Sequence, residues 1–311
     1  MKGTLRARST VFLVNPASAN GATRRLWPEI AHRAAEAGLE GEALFSERPG
    51  HLAELARRAA GDGAALLVAV GGDGTVNEAV NGILAAGRDE PPDLAVLPRG
   101  TGTDFVRTFR IPTDLDDALE VARSGLTRVI DAGRVTYRSW SGDDALGYFV
   151  NVASAGMSGA VAQRANASSK ALGGKVSFLW ATLAVFARWH NTEIEVEVDD
   201  ERRSGPMYDV IVGNCEYLAG GMHLCPGAKP DDGLFDVVLI GDITKTELAL
   251  ALPGVYRGTY LPHPKAEALR GARVAVRAPT ALPIELDGEQ PGTTPATFEV
   301  VPRALRLRVP G

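Results

Sequence analysis

Short apolar runs alternate with helical patterns over roughly the first 130 residues of the chain. The apolar runs lie at residues 11–14, 43–45, 66–70 and 94–97, and the helical patterns at residues 26–34, 51–60 and 75–86. Continuous apolar runs are typical of parallel strands buried on both faces, and helices between such strands provide the crossover connections. The pattern predicts an α/β nucleotide-binding domain built on a doubly wound, mostly parallel sheet.

The pattern changes after about residue 131, where helical periodicity becomes rare and short extended segments separated by Gly/Pro turns dominate. These segments lie at residues 148–153, 193–198, 208–212, 235–240, 273–276, 284–286 and 297–301. Such a series predicts a second, mostly antiparallel β-sandwich-like domain. Because a last apolar run at residues 304–309 can return to the first domain, we expect domains at 1–131 with 303–311 and at 132–302.

Composition narrows the class of protein. The 311 residues are 45% apolar and 23% charged, as in ordinary soluble globular proteins, and the net charge of −5 argues against nucleic-acid binding. The apolar run at residues 11–14 is too short for a signal peptide, so we expect a cytoplasmic protein. The longest apolar stretch, residues 176–189, falls short of the ~20 residues that span a bilayer. It predicts a core helix, with a lipid-facing cleft as the alternative.

The loop after the apolar run at residues 66–70 has the composition of a phosphate-binding turn. Gly71, Gly72 and Gly74 allow the backbone to approach an anion closely, and the helix that follows offers N–H groups and the positive end of its dipole. Asp73 is the one side chain kept in this turn that carries a charge, and a carboxylate beside phosphates indicates a bound Mg²⁺ ion. A plain tight turn is the alternative, but it does not require so many glycines.

Two further loops follow strands of the same predicted sheet, at residues 15–21 and 98–104, and ligands of such sheets bind at the carboxyl ends of the strands. Two acidic segments lie downstream. Residues 231–236 are consistent with an Asp-Gly hairpin or with a metal site, and Asp287, Gly288 and Glu289 are equally consistent with a plain turn or with a general base. No Walker A loop or Gly-x-Gly-x-x-Gly motif is present.

Taken in order, these motifs resemble the diacylglycerol kinase catalytic family, in particular its bacterial soluble lipid kinases. The resemblance covers nearly the whole chain and is carried by Asn15-Pro16, by residues 71–78, 97–101 and 232–236, and by residues 287–289. It implies an active site in a cleft between the two domains, with ATP as phosphate donor and Mg²⁺. The family usually has Gly where Ala19 stands and Asn where Thr103 stands, which bears on the preference for ATP over another donor.

The resemblance also implies roles for individual residues. Contacts to ATP fall on Asn15, Pro16, Ala17, Ser18, Ala19, Ser46, Gly72, Asp73, Gly74, Thr75, Val76, Asn77, Glu78 and Thr101. A Mg²⁺ ion falls on the Asp232 carboxylate with the carbonyl groups of Lys229 and Leu234. Glu289 is implied as the general base, with Asp287 beside it as a partner or rival, and Asp73 completes the catalytic set.

We therefore expect an ATP-dependent lipid kinase that phosphorylates a lipid hydroxyl, with diacylglycerol as the leading acceptor and phosphatidic acid as its product. The lipid is expected at the membrane surface, where the enzyme binds peripherally and transiently. The sequence leaves the acceptor and the oligomeric state open. Two rival functions are an NAD kinase-like transfer to a ribose hydroxyl and a nucleotide-binding regulator without catalysis.

Overall fold

The computed structural model describes residues 9–100, 102–167, 185–186 and 188–311. The chain divides into two compact units, of which unit 1 comprises Met1–Ile130 and Arg303–Gly311 and unit 2 comprises Asp131–Pro302. Thr101 and most of the apolar stretch at residues 176–189 lie outside the described residues.

Unit 1 contains strands and helices in regular alternation. In chain order they are β1 (Thr10–Val14), α1 (Ala22–Glu36), β2 (Glu42–Phe45), α2 (His51–Gly61), β3 (Leu66–Gly71), α3 (Asp73–Ala85), β4 (Asp93–Pro98), α4 (Asp104–Thr108) and α5 (Leu115–Ser124), with a short 3₁₀ turn, Ser18–Gly21, before α1. The sheet order is β2, β1, β3, β4 and then the carboxyl end of the last strand of the chain, β17 (Glu289–Val309), and every neighbouring pair is parallel.

Strands β3 and β4 lie in the middle of this sheet, and all of their residues are buried. Helices α1 and α5 contribute Ile30, Ala34 and Leu119 to a core that also contains Val68 and Leu97. Burial on both faces explains why these two strands are continuous apolar runs, since each face packs against other elements rather than water. The carboxyl ends of β1, β3 and β4 therefore lie at one edge of the sheet.

Unit 2 is mostly antiparallel. Its elements are β5 (Leu126–Ser139), which begins in unit 1, β6 (Asp144–Phe149), β7 (Val152–Gly156), α6 (Met157–Ala167), β8 (Thr192–Val198), β9 (Glu201–Met207), β10 (Asp209–Gly213), β11 (Tyr217–Leu218), β12 (Met222–His223), β13 (Phe235–Ile240), α7 (Lys245–Arg257), β14 (Ala266–Gly271), β15 (Arg273–Arg277), β16 (Pro283–Leu286) and β17. The main path runs β14, β13, β10, β7, β16 and β17, and β15 connects β17 to β8 and β9.

These elements confirm the predicted fold class, a mostly parallel α/β unit and a mostly antiparallel unit. Two local expectations were wrong. The single segment at residues 148–153 is interrupted between β6 and β7, because the amides of Val150, Asn151 and Val152 donate to the Asp287 carboxylate. The Asp-Gly turn at residues 231–236 does not close a hairpin, because β13 pairs with β10 and β14.

Among the described residues, no helix combines the length and the apolar character needed to cross a membrane.

Candidate active site

The loop after β1 is joined to the start of α3 through Asn15. The Asn15 backbone N–H donates to the Val70 carbonyl at 3.1 Å, and its side-chain amide donates to the Thr75 hydroxyl at 3.1 Å. The Asn15 side-chain oxygen accepts a hydrogen bond from the Ala17 N–H at 3.0 Å. Both polar ends of the Asn15 side chain are therefore used. The amide nitrogen holds the β1 loop against the first turn of α3, and the oxygen holds the backbone of the loop itself.

The glycine loops after β3 and β4 touch each other through their backbones. The Arg99 N–H donates to the Gly71 carbonyl at 2.7 Å. A Cβ on Gly100 would lie only 2.6 Å from the Gly72 Cα, and a Cβ on Gly71 would lie 2.1 Å from the Thr75 hydroxyl oxygen. Glycine at these positions is required by close packing as well as by any approach of a ligand, because a side chain would force the two loops apart.

Asp73 begins α3 and also holds the next short helix. Its two carboxylate oxygens accept hydrogen bonds from the N–H groups of Asp104 at 3.1 Å and Phe105 at 3.2 Å, which lie in the first turn of α4. A Cβ on Gly102 would lie 2.6 Å from one of these oxygens. Asp73 is half-exposed, and a carboxylate oxygen is the kind of ligand that Mg²⁺ prefers. The residues around Asp73 therefore fit a Mg²⁺ ion that binds together with phosphates.

Several side chains after Gly74 in the first turns of α3 are buried or bonded to other parts of the protein. Thr75, Val76 and Asn77 are buried, and the Asn77 oxygen accepts from the Asn81 side chain. The Glu78 carboxylate accepts the Leu52 N–H at 2.9 Å, in the first turn of α2. Contacts between these residues and ATP stay predictions, and Gly74, which has no side chain, precedes them at the amino end of the helix.

The β1 loop shows why it matters that this chain has alanine at position 19, where the family usually has glycine. Pro16 is buried, and the Ser18 hydroxyl donates to the Asn15 carbonyl at 2.8 Å. Ala19 has φ of 51°, a left-handed conformation that favours glycine. The glycine that the family resemblance places at this position would adopt it without strain.

Ser46 immediately follows β2, and its N–H donates to the Val14 carbonyl at 3.0 Å, beside the end of β1. Of the residues assigned to ATP, Thr101 lies outside the described residues. The remaining thirteen lie at the carboxyl edge of the unit 1 sheet or in the α3 turns that follow it. The structure thus brings together the loops after β1, β3 and β4.

In unit 2, a tight hairpin connects β16 to β17. Its two central residues, Asp287 and Gly288, have φ of 51° and 90°, which is the sign that a type I′ turn requires at both positions. The Asp287 carboxylate is buried and accepts three backbone hydrogen bonds, from Val150 and Asn151 at 2.9 Å and from Val152 at 3.1 Å. Asp287 therefore has a structural role, because these contacts hold the turn against residues 150–152.

A second buried acid supports the same turn. Glu285 in β16 accepts hydrogen bonds from the Gly288 N–H and from the Ser154 hydroxyl, the latter at 3.1 Å. Burial, with a smaller contribution from the Asp287 charge, raises the pKa of the Glu285 carboxyl to about 8, even though the two hydrogen bonds lower it. Burial likewise raises the pKa of Asp209, in β10, to about 7.

Nothing in the sequence pattern pointed to Glu285 or Asp209. Glu285 lies between Ile284 and Leu286, so strand alternation places it on the opposite face, which is normally the solvent side. That face is covered by α6, which packs against β16, where Gly159 approaches the Pro283 carbonyl. The covering helix, which the pattern did not predict, is the reason that the acid is buried.

Glu289 is the exposed carboxylate of this hairpin. It is the first residue of β17 and lies opposite Leu286 in the register. The contacts of Asp287 and Glu285 fix the backbone that carries Glu289. A structural turn at residues 287–288 and a general base at Glu289 are therefore compatible interpretations. The assignment of Glu289 as the base stays a prediction.

The loop assigned to a second Mg²⁺ ion is held by an ion pair. One Asp232 oxygen accepts the Leu234 N–H at 3.2 Å, and the other contacts the Arg270 guanidinium. Arg270 also lies 3.3 Å from Asp236. No group of three His, Cys, Asp or Glu side chains suited to a metal occurs in the part of the chain that the structure describes.

Asp131 fixes the backbone of the same loop, since its carboxylate accepts the Gly233 N–H at 2.8 Å and its N–H donates to the Pro230 carbonyl at 2.7 Å. The Asp232 carboxylate therefore already has a guanidinium as its partner, and the assignment of a Mg²⁺ ion to Lys229, Asp232 and Leu234 stays a prediction. We derive no catalytic step from a metal at this loop. Arg270 was not indicated by the sequence, because it lies in a different strand, β14.

Comparison with protein families identifies both halves of the chain. Residues 9–135 match the diacylglycerol kinase catalytic domain, and residues 151–309 match the YegS C-terminal NAD kinase beta sandwich-like domain. The chain therefore belongs to the family of diacylglycerol kinase-like proteins that carry these two domains, as the resemblance predicted.

Curated relatives agree with this family. A diacylglycerol kinase of Staphylococcus saprophyticus is 29% identical over 294 residues, which cover 94% of this chain and 92% of that protein. A diacylglycerol kinase of Staphylococcus carnosus is 28% identical over 306 residues, covering 98% of this chain and 96% of that protein. At the level of enzyme class, the chain is thus a diacylglycerol kinase-like phosphotransferase that acts on a hydroxyl acceptor.

Solved structures support the fold. The crystal structure of a diacylglycerol kinase from Bacillus anthracis superposes with a TM-score of 0.71 at 18% identity, covering 98% of this chain and 97% of the other. Yeast NADH kinase complexed with NADH gives a TM-score of 0.54 at 12% identity, covering 97% and 83%. At these identities the similarity establishes only the shared fold.

Proposed function

We propose that the chain is an ATP-dependent lipid kinase that transfers the γ-phosphate to a lipid hydroxyl, with diacylglycerol as the acceptor and phosphatidic acid as the product. The observation that carries the proposal is the meeting of three loops at one sheet edge, through the Asn15–Thr75 hydrogen bond and the Gly72–Gly100 contact. Curated relatives along nearly the whole chain bear the name diacylglycerol kinase.

Unit 1 supplies the nucleotide site in this proposal. Backbone N–H groups at the start of α3, around Gly72 and Gly74, bind the phosphates, and the loops anchored by Asn15 enclose them. Asp73 holds the Mg²⁺ ion that binds with ATP, and that ion neutralises negative charge on the phosphates. Asp73 is rigid in this role because the amides of α4 orient its carboxylate.

Unit 2 supplies the base. The Glu289 carboxylate takes the proton from the lipid hydroxyl as the hydroxyl oxygen attacks the γ-phosphorus and ADP leaves. Asp287 and Glu285 act on Glu289 through the backbone, because they fix the turn on which it lies. The acceptor is a membrane lipid and ATP is a cytoplasmic donor, so we propose a cytoplasmic enzyme that binds the membrane surface peripherally.

The deciding experiment presents labelled ATP and Mg²⁺ to the purified chain with separate acceptors. These are diacylglycerol, a sphingoid base and phosphatidylglycerol in detergent micelles, and NAD in solution. We expect the label in a lipid whose mass matches phosphatidic acid. Label in NAD alone would replace the proposal with an NAD kinase, and nucleotide binding without transfer to any acceptor would indicate a regulator.

A further inference from the structure

Helix α7, in unit 2, is apolar on the side that faces water as well as on the side that faces the core. Val255 and Leu248 pack into the hydrophobic cluster that also contains Ile243 and Tyr260. The outward side carries Leu250, which is 78% exposed. A soluble surface helix normally places polar residues there, so α7 departs from the usual amphipathic pattern.

The apolar residues that are exposed on the helix, which we call the α7 apolar face, are Ala249, Leu250, Leu252, Pro253 and Tyr256, and the exposed polar Thr246 lies beside them. Leu252 is 42% exposed and Tyr256 48% exposed. Positions 249, 252, 253 and 256 have the i, i+3, i+4, i+7 spacing of one helix side. Three of the eight large hydrophobic side chains that are exposed within the described residues therefore lie on one 13-residue helix.

The face is held on a well-anchored helix. Thr244 and Glu247 form a capping box at the start of α7, and Gly258 ends the helix in a left-handed conformation. The Glu247 carboxylate also pairs with the Lys265 ammonium at 2.9 Å. Leu250 and its neighbours are thus presented by a fixed element, and their exposure does not result from a frayed end.

A cation lies at each end of the face. Lys245 and Arg257, at the two ends of α7, are both exposed. Glu247, the acid on the helix, pairs with Lys265, whereas Asp242, just before the helix, accepts a hydrogen bond from the neutral Asn191 side-chain amide at 2.7 Å. An apolar stripe flanked by cations, with Tyr at its edge, is the composition of a helix that lies in a membrane interface.

We infer that the α7 apolar face docks on a lipid bilayer that contains anionic lipids, with Leu250, Leu252 and Tyr256 inserted among the headgroups and Lys245 and Arg257 against lipid phosphates. This inference rests on the proposed function, because a kinase with a bilayer-resident acceptor must reach the membrane surface. It assigns that contact to one helix of unit 2.

The test measures sedimentation of the full-length chain with vesicles of phosphatidylcholine and phosphatidylglycerol in a 3:1 ratio, taken as roughly 25% anionic lipid. We expect Leu250→Glu to weaken the partition coefficient by about 10-fold or more, since it removes a buried Leu from the contact. Leu146→Glu, which changes a Leu of β6 that is 54% exposed and outside the face, is the matched control and should bind like wild type. Vesicles of pure phosphatidylcholine should bind the wild type more weakly.

Equal vesicle binding by Leu250→Glu and wild type would overturn the inference. It would also be overturned if light scattering showed a wild-type dimer that Leu250→Glu dissociates, without vesicle binding by either, because the face would then be covered by a second copy. Thermal unfolding of both variants checks that the fold is intact.

A parallel assay with a short-chain, water-soluble diacylglycerol separates this inference from the proposed function. If Leu250→Glu phosphorylates the soluble acceptor at the wild-type rate but fails on vesicles, both stand. If no acceptor is phosphorylated while vesicle binding still depends on Leu250, the kinase proposal fails and the docking surface remains.

Discussion

Asp73 performs two tasks with one carboxylate, and a single substitution can separate them. It caps α4 through Asp104 and Phe105, and we propose that it holds the nucleotide-bound Mg²⁺. Asp73→Asn keeps one oxygen for an amide but removes the charge, so we expect kcat to fall by at least about 10²-fold, the effect of removing one preorganised electrostatic contact. The melting temperature should fall less in Asp73→Asn than in Asp73→Ala. Near wild-type turnover of Asp73→Asn would exclude the catalytic role.

Glu289 is exposed, so its removal should affect chemistry much more than stability. We expect Glu289→Gln to lower kcat by about 10²- to 10⁴-fold, the range for a general base, with an unchanged urea midpoint. Glu299→Gln, on the same strand, removes the partner of Arg134 and serves as the control, with turnover like wild type. If both variants turned over alike, Glu289 would not be the base.

A substitution of Arg270 can test whether the cation at the Asp232 loop is the Arg270 guanidinium or a Mg²⁺ ion. Because its guanidinium already contacts Asp232 and lies near Asp236, Mg²⁺ added without nucleotide should leave the melting temperature of the wild type unchanged. Arg270→Gln leaves the two carboxylates without this cation, so Mg²⁺ should stabilise the variant. Stabilisation of the wild type by Mg²⁺ alone, measured by calorimetry, would instead support the metal site that the family resemblance implies.

At the level of elements, strands β16 and β10 each contain a buried acid that makes the stability of unit 2 sensitive to pH. The pKa of Glu285 is raised from 4.5 to about 8 by burial, so the native state retains a proton that the unfolded chain releases. The free energy of unfolding should therefore fall as pH rises through this interval, by about 1.4 kcal/mol per unit of pKa difference as an upper bound. Asp209, with a pKa raised to about 7, acts in the same direction.

Glu285→Gln tests this pH dependence, since the neutral amide cannot release a proton. In urea unfolding at several pH values, we expect the variant to gain stability relative to wild type progressively from about pH 5 to pH 8. Glu299→Gln, at a partly exposed position of β17, should run parallel to wild type. A constant difference between Glu285→Gln and wild type across this range would show that Glu285 does not titrate there.

Uniform burial along a strand makes that strand recognisable in the hydrophobic pattern. Strands β3 and β4 are buried at every residue, so they were continuous apolar runs in the sequence. Strand β9 was missed because, within the described residues, it pairs only with β8, and an edge strand tolerates its Gly205 and Pro206. Helix α6, Met157–Ala167, was missed because its residues are small and lack a clear apolar stripe.

In the candidate site too, some features could be predicted from the sequence and others could not. Glycine loops at strand ends can be recognised because backbone geometry limits which residues fit, as the Gly72–Gly100 contact illustrates. The partners of Asp232 and Asp287 could not be predicted, since Arg270 and the amides of residues 150–152 are distant in sequence and meet them only through sheet pairing. The fold class follows from local pattern, whereas the use of each carboxylate depends on long-range contacts.

At the scale of the whole molecule, the chain leaves unit 1 near residue 130 and returns at residue 303, where the end of β17 completes the parallel sheet. Asp93 anchors the returning segment. Its carboxylate forms ion pairs with Arg306 at 2.7 Å and Arg308 at 2.9 Å and accepts a hydrogen bond from the Thr127 hydroxyl at 2.9 Å. We expect Asp93→Ala to cost about 1–3 kcal/mol, because two arginines lose their buried carboxylate partner, and to speed hydrogen exchange at residues 304–309. Arg134→Ala, which breaks an exposed pair, should cost under about 0.5 kcal/mol. Equal costs would mean that Asp93 does not anchor the returning strand.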